Sequence, residues 1–248
     1  MPAPSPTPDV DVPEAPAERA MEAAAAGGAE KRAYVRHIFS EIAPRYDLLN
    51  RTLSFGVDRA WRRRPAGVYL DLCAGTLDVA ALLSRQPGFA GLVVGADFAV
   101  PMLRAGAGKA GGARVAPVGA DALALPLAGA SVDGAVVAFG IRNVADLDAG
   151  LREVRRVLRP GARFVVLEFT TPPNAVVRAA YHAYFHHVLP AIGRVVSGHP
   201  TAYAYLPRSV AHFPAEPELA ERMRAAGFRA VRWERLTLGV AAAHVGEA

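Results

Sequence analysis

Val68-Tyr-Leu-Asp-Leu-Cys-Ala-Gly-Thr-Leu-Asp78 begins as an apolar run and ends in a turn of small residues, with carboxylates at Asp71 and Asp78. Residues 68 to 73 are short, partly β-branched or aromatic, and bounded by turn formers. That is the composition of a first strand in a parallel sheet covered on both faces. Ala74, Gly75 and Thr76 let the backbone pass close to a ligand before Val79-Ala-Ala-Leu-Leu83 starts a helix. In a doubly wound sheet, ligands bind at the carboxyl ends of strands, beside such loops. A small-molecule site is expected here.

Moving outward, Gly91-Leu-Val-Val-Gly-Ala-Asp97 reads as a second strand ending in an acid. A carboxylate placed about 20 residues after a glycine loop accepts the hydroxyls of a ribose. Loop and acid together point to a nucleoside-bearing cofactor; an α/β turn with no ligand is the competing reading. Val100-Pro-Met-Leu-Arg104 opens a helix with proline in its first turn, and Gly111-Gly112 ends it. Residues 113 to 121 form a third strand, whose Asp121 and Ala122 would border the base of a bound nucleoside.

Ser131 to Phe139 is the most continuous apolar strand and runs into Gly140-Ile-Arg-Asn-Val144. A helix over 146–158 is closed by Arg159-Pro-Gly161, and 163–169 is a fifth strand. Five alternations of strand and helix predict an α/β, doubly wound, mostly parallel sheet with right-handed crossovers. Residues 230–238 and 240–245, after a helix at 219–227, read as a C-terminal antiparallel hairpin.

Between them, 171–212 has the character of a substrate-side helical insertion. Its predicted helix, 176–189, carries Tyr181, Tyr184, Phe185 and three histidines. His182 and His186 are four apart, but no third ligand accompanies them, so an aromatic pocket wall is preferred and no metal is assigned. Upstream, residues 1–30 are rich in Pro, Ala and Glu and read as a disordered tail. Residues 31–64 place Ile38, Phe39, Ile42, Leu53, Phe55 and Trp61 among basic residues. They read as an N-terminal helical cap, so that 31–248 is one domain.

The 248 residues suffice for one substantial core. The 52% hydrophobic content is inflated by alanine. No stretch offers about 18 uninterrupted apolar residues for a spanning helix. No secretory signal pattern opens the chain, and cytoplasmic residence is expected. Cys73 is the only cysteine, which excludes an internal disulfide. Lys31 and Lys109 are the only lysines in a chain with a net charge of +5. No basic run is interleaved with aromatics, so nucleic acid is not an expected partner.

These residues resemble the quinone-biosynthesis C-methyltransferases, which methylate demethylmenaquinol or, in relatives, a benzoquinol of the ubiquinone pathway. The likeness runs from Tyr34 to Gly246. It is carried by Arg45-Tyr-Asp47 and Leu53-Ser-Phe-Gly56 in the cap, Asp71-Leu-Cys-Ala-Gly-Thr76 with Asp78, Asp97, and Asp121-Ala122 with Leu125-Pro126. Phe139-Gly-Ile-Arg-Asn-Val144 is the most specific motif, followed by Leu167-Glu-Phe169, His187-Val-Leu-Pro190 and Gly239-Val-Ala-Ala242 with His244.

The resemblance implies a class I, Rossmann-like methyltransferase that binds S-adenosyl-L-methionine through Asp71, Gly75, Thr76, Asp97, Asp121 and Ala122. It also implies a prenylated quinol substrate. Arg142 and Asn143 would orient the quinol oxygen and stabilise its anion, or Asn143 would only tie the loop together. Tyr46 would touch cofactor or substrate, or hold the cap, and His187 is a candidate base. The membrane-soluble tail implies transient contact with the inner face of the membrane, for which Arg59 and Arg62 to Arg64 are candidates; a homodimer is compatible with this family.

Two departures stand out. Leu77 occupies a position where relatives often carry glycine or alanine. If its φ is positive, it costs about 1 to 2 kcal/mol, and its side chain is expected to crowd the methionine end. Only nine residues separate Trp61 from Asp71, a short linker. Both motivate a rival reading as a degenerate methyltransferase fold that serves as an interaction module. An NAD-dependent oxidoreductase is disfavoured because G-x-G-x-x-G and Tyr-x-x-x-Lys are absent.

Overall fold

A computed structural model describes Gly28, Lys31 and residues 66–110, 114–184 and 208–248. Its described strands are β1 (Val68–Leu72), β2 (Leu92–Asp97), β3 (Val115–Gly119), β4 (Val132–Ala138), β5 (Leu158–Phe169), β6 (Arg229–Leu236) and β7 (Ala241–Glu247). They form one sheet in the order β3-β2-β1-β4-β5-β7-β6. The first five are parallel, and β7 is antiparallel to both β5 and β6. The doubly wound sheet and the closing hairpin are therefore as the sequence indicates. Pro117 falls on the edge strand β3, where a missing N–H is tolerated.

Alternate residues of the central strands feed two core layers. Leu70, Leu72, Val94, Val137, Phe164 and Val166 pack on one face, whereas Tyr69, Val93, Val136 and Val165 pack on the other. Apolar side chains pointing both ways are what the near-continuous hydrophobic runs require. Each large one buried contributes about 1.5 to 3 kcal/mol.

The described helices are α1 (Asp78–Ser84), α2 (Val100–Gly106), α3 (Leu147–Val157), α4 (Ala175–Ala183) and α5 (Glu216–Ala225). In α3 the buried residues Gly150, Leu151, Val154 and Val157 recur at helical spacing, and the Asp146 carboxylate caps the first turn by accepting from the Ala149 N–H at 2.9 Å. Helix α5 begins three residues earlier than expected, with Pro217 in its first turn, and buries Leu219, Ala220 and Met223.

Other boundaries also differ from the sequence reading. Strand β3 is shorter than 113–121. Strand β5 starts at Leu158, because Leu158 pairs with Val132 across a bulge before the register resumes at Gly134 and Arg163. Arg159-Pro-Gly161 thus bends a strand that is already under way, with Gly161 at φ 77°. The expected cap residues 34–64, including Tyr46, lie outside the described residues, as do 185–207 with Phe185, His186 and His187.

Candidate cofactor and substrate site

Strand β1 lies between β2 and β4, so the connections on its two sides run to opposite parts of the sheet. This opens a crevice at the carboxyl ends of β1 and β4, where a ligand is expected. The loop after β1 lines it with three left-handed residues, Cys73 (φ 54°), Gly75 (φ 53°) and Leu77 (φ 63°). Leu77 donates its N–H to the Ala74 carbonyl at 2.8 Å, and Ala74 donates to the Ala96 carbonyl at 3.0 Å. Leu77 does take a positive φ, but its side chain does not project toward the crevice as expected. It turns into the core beside Tyr69, Ala80, Leu83 and Val93, and is fully buried. The left-handed backbone carries the side chain inward, and that burial offsets the conformational cost.

Three close approaches shape this crevice. A Cβ at Gly95 would strike Leu77 Cδ2, one at Gly106 would strike the Thr76 carbonyl, and one at Gly140 would strike Cys73 Cβ. The last contact seats the loop after β4 directly on the loop after β1. The only cysteine is occupied in that packing, and its burial pushes the thiol well above its usual range.

The Asp97 carboxylate, at the end of β2, accepts from the Gly75 N–H at 2.8 Å and from the Ala99 N–H at 2.7 Å. Burial raises its pKa despite both bonds. A carboxylate has about four acceptor sites, so two remain for hydroxyl donors. Asp71, one strand over, accepts from the Ala80 N–H at 2.9 Å, and burial pushes its pKa up to about 8, with Asp97 and Asp78 adding to the effect. Thr76 Oγ1 donates to Asp78 at 2.7 Å, while Lys109 Nζ reaches Thr76 Oγ1 and both Asp78 oxygens at 3.1 Å. Asp121 and Ala122 sit next to this group: Ala120 donates to the Asp97 carbonyl at 3.0 Å, and Asp121 Oδ1 accepts from the Leu123 N–H at 3.0 Å.

These residues fit a nucleoside bearing an amino acid. At Gly75 an added Cβ would meet only Met102 Cε within 4 Å, so the backbone is open to close approach. Asp97 has spare acceptor capacity, and the raised Asp71 carboxyl is a group that a nearby cation would return to its charged form.

On the substrate side, Phe139 (φ 56°) follows β4 with its ring 4.5 Å from that of Phe169, and residues 141–143 form a short 3₁₀ turn. Arg142 in that turn is buried. Its Nη1 donates to Glu168 Oε2 at 2.7 Å and to the Phe139 carbonyl, and its Nε donates to Ser209 Oγ at 3.3 Å. Its backbone N–H donates to Glu168 Oε1 at 3.2 Å, and its guanidinium lies over the Phe169 ring. Asn143 is buried and donates its N–H to the Gly140 carbonyl. Tyr181 of α4 is also buried, which raises its hydroxyl pKa to about 12, with the Arg142 charge opposing.

The structure thus gathers Asp71, Gly75, Thr76, Asp97, Asp121 and Ala122 around one crevice, and sets Arg142 and Asn143 on its second wall. Sequence reasoning did not single out Glu168, Ser209, Lys109 or Lys31 as parts of the site. Glu168 stood within a quoted motif, and the two lysines were conspicuous only by their rarity.

Solved structures of the same fold include a SAM-dependent methyltransferase from Thermotoga maritima (TM-score 0.59, 18% identity, covering 85% of this chain and 98% of that one). Another is a SAM-dependent methyltransferase from Aquifex aeolicus (TM-score 0.53, 19% identity, 84% and 92%). In sequence, the demethylmenaquinone methyltransferase of Thermus thermophilus is 52% identical over 221 residues, 85% of this chain and 99% of that protein. That of Deinococcus radiodurans is 46% identical (88% and 94%). The ubiquinone/menaquinone biosynthesis C-methyltransferase of Geobacter sulfurreducens is 43% identical (88% and 90%). The sequence pattern of the ubiE/COQ5 methyltransferases matches residues 28–248, essentially the whole of the predicted domain, and the chain belongs to the ubiE/COQ5 methyltransferase family.

Proposed function

We propose that this chain is an S-adenosylmethionine-dependent C-methyltransferase that converts demethylmenaquinol to menaquinol. The observation that carries the reading is the junction of two walls. The Asp97–Gly75 loop, suited to a nucleoside, is packed through Cys73 and Gly140 onto the turn that holds the buried Arg142.

S-adenosylmethionine, when bound, supplies an electrophilic methyl group. The chain's own residues do the rest. Asp97 accepts from ribose hydroxyls, Asp121 and Ala122 border the base, and Asp71 offers a carboxylate to the amino-acid end. A quinol ring carbon becomes nucleophilic as a phenolic proton is lost and charge spreads into the ring. Arg142 N–H groups directed at that oxygen stabilise its anion, and Asn143 fixes the turn that aims them. The Phe139–Phe169 pair presents an apolar surface that excludes water from the ring. Tyr46 from the cap and His187 as proton acceptor complete the proposed set; both lie outside the described residues.

The benzoquinol of ubiquinone synthesis is the second reading, favoured by the dual name of the Geobacter relative. The interaction-module reading loses one of its two motives, because Leu77 is packed in the core. Among the described residues no helix is long and apolar enough to cross a membrane. The tail of the proposed substrate nevertheless calls for transient contact with the inner face of the bilayer. Val176 and Leu238, 78% and 77% exposed, suit that contact.

A competition assay tests the reading. The protein receives S-adenosylmethionine with equal amounts of reduced demethylmenaquinol and a demethylated benzoquinol, and products are weighed by mass spectrometry. One methyl gained chiefly by the naphthoquinol is expected. Preference for the benzoquinol would transfer the assignment to the second reading, and no methylation of either would overturn both.

A further inference from the structure

Arginine supplies 26 of the chain's 28 basic side chains, two being lysine. Both lysines touch the site. Lys109 braces Thr76 and Asp78 on the cofactor wall. Lys31, from the N-terminal segment, donates its ammonium to the backbone carbonyl of Arg142 at 2.6 Å, a buried contact across 111 residues of sequence. Gly28, assigned from sequence to the tail, donates its N–H to the Ala145 carbonyl at 3.2 Å, so the segment meets this turn twice.

The consequence is that Arg142 is held from both sides of its own peptide. Glu168 takes its N–H and its Nη1, Ser209 takes Nε, and Lys31 takes its carbonyl. A side chain aimed at a substrate oxygen needs this kind of support, because an error of about 1 Å costs on the order of a hundredfold in rate. An ammonium suits the place better than a guanidinium, being compact and needing fewer acceptors. Burial and the neighbouring Arg142 charge bring the Lys31 pKa down to about 8, with Glu168 opposing, so the contact is made at a cost in desolvation.

We propose that Lys31 is a positioning residue for methyl transfer, fixing the Arg142 carbonyl and through it the direction of the Arg142 guanidinium. This rests on the reading that Arg142 faces the quinol oxygen.

The test uses the full chain and four variants: Lys31→Met, Lys31→Arg, Arg142→Ala and the Lys31→Met/Arg142→Ala double. For each, kcat and KM are measured with reduced demethylmenaquinol, the S-adenosylmethionine dissociation constant by calorimetry, and folding by thermal melting. Lys31→Met is expected to lower kcat on the order of ten- to hundredfold while cofactor affinity stays within about twofold. Lys31→Arg recovers part of the loss. In the Arg142→Ala background Lys31→Met adds less than about twofold, as coupled residues do. If Arg142→Ala is impaired but Lys31→Met turns over normally, or if the two losses multiply, the Lys31 proposal alone is overturned. If Arg142→Ala turns over normally, the reading of Arg142 fails and takes the proposal with it. Should Lys31→Met not fold, Lys31→Leu, which likewise removes the donor to the carbonyl, stands in its place under the same criteria.

Discussion

Leu77 and Gly95 are shaped to one another: the Leu77 methyl occupies the space that a side chain at Gly95 would take. The pair joins the cofactor loop to the strand that ends in Asp97, so loop shape and core packing depend on each other.

Substitution at either position is therefore expected to destabilise. Gly95→Ala forces a clash in a packed core and should cost about 1 to 3 kcal/mol. Leu77→Gly relieves a left-handed leucine worth about 1 to 2 kcal/mol but removes a buried side chain worth about 2 to 5 kcal/mol, so the net effect is a loss. Urea unfolding measures both. A Leu77→Gly variant more stable than the parent would show that the leucine is a handicap after all.

Asp97→Ala should weaken S-adenosylmethionine binding by one to two orders of magnitude, about 1.5 to 3 kcal/mol for lost bonds to a charged group. Besides its proposed acceptor role, the carboxylate pins the Gly75 and Ala99 N–H groups. Isothermal titration calorimetry reads the change. An unaltered dissociation constant would remove Asp97 from the site.

Without cofactor, stability should fall as pH rises from 6.5 to 8. The folded Asp71 carboxyl titrates at about 8, against 3.8 ordinarily, so between those values the folded chain holds a proton that the unfolded chain releases. Its contribution is fully present below 3.8 and is lost as pH climbs through 8, with a slope of up to about 1.4 kcal/mol per pH unit. His244 acts in the opposite sense below 6.5. Its buried ring, bonded to the Glu216 carbonyl, has a lowered pKa, so acid favours the unfolded chain, which takes up the proton. Denaturant midpoints across the alkaline window should decline for the parent and flatten for Asp71→Asn. An equal decline in both would assign the slope elsewhere.

Local patterns made much of this legible. The 68–78 run, the acid at Asp97 and the strand leading to Phe139 place the cofactor wall because each is read within a dozen residues. The direction of the Leu77 side chain was not readable, since it depends on a gap at Gly95 in the neighbouring strand. Likewise, Pro160 and Gly161 look like a stop, and only the pairing of Leu158 with Val132 reveals a strand already begun. Glu168 and Lys31 join Arg142 from 26 and 111 residues away, through contacts that exist only after the sheet is assembled. The one trace of Lys31 in the sequence was that it is a lysine where the chain otherwise uses arginine.

The placement of β7 between β5 and β6 also sets an order of events during synthesis. Strand β6 is translated first, yet among the described strands it pairs only with β7. A nascent chain that has emerged only as far as Leu236 can assemble the five parallel strands, but β6 has no edge of its own to join. The outermost strand must wait for the inner one, so during that interval the free edge of β5 and the apolar face of β6 are exposed together, as the segments most open to mispairing or chaperone capture.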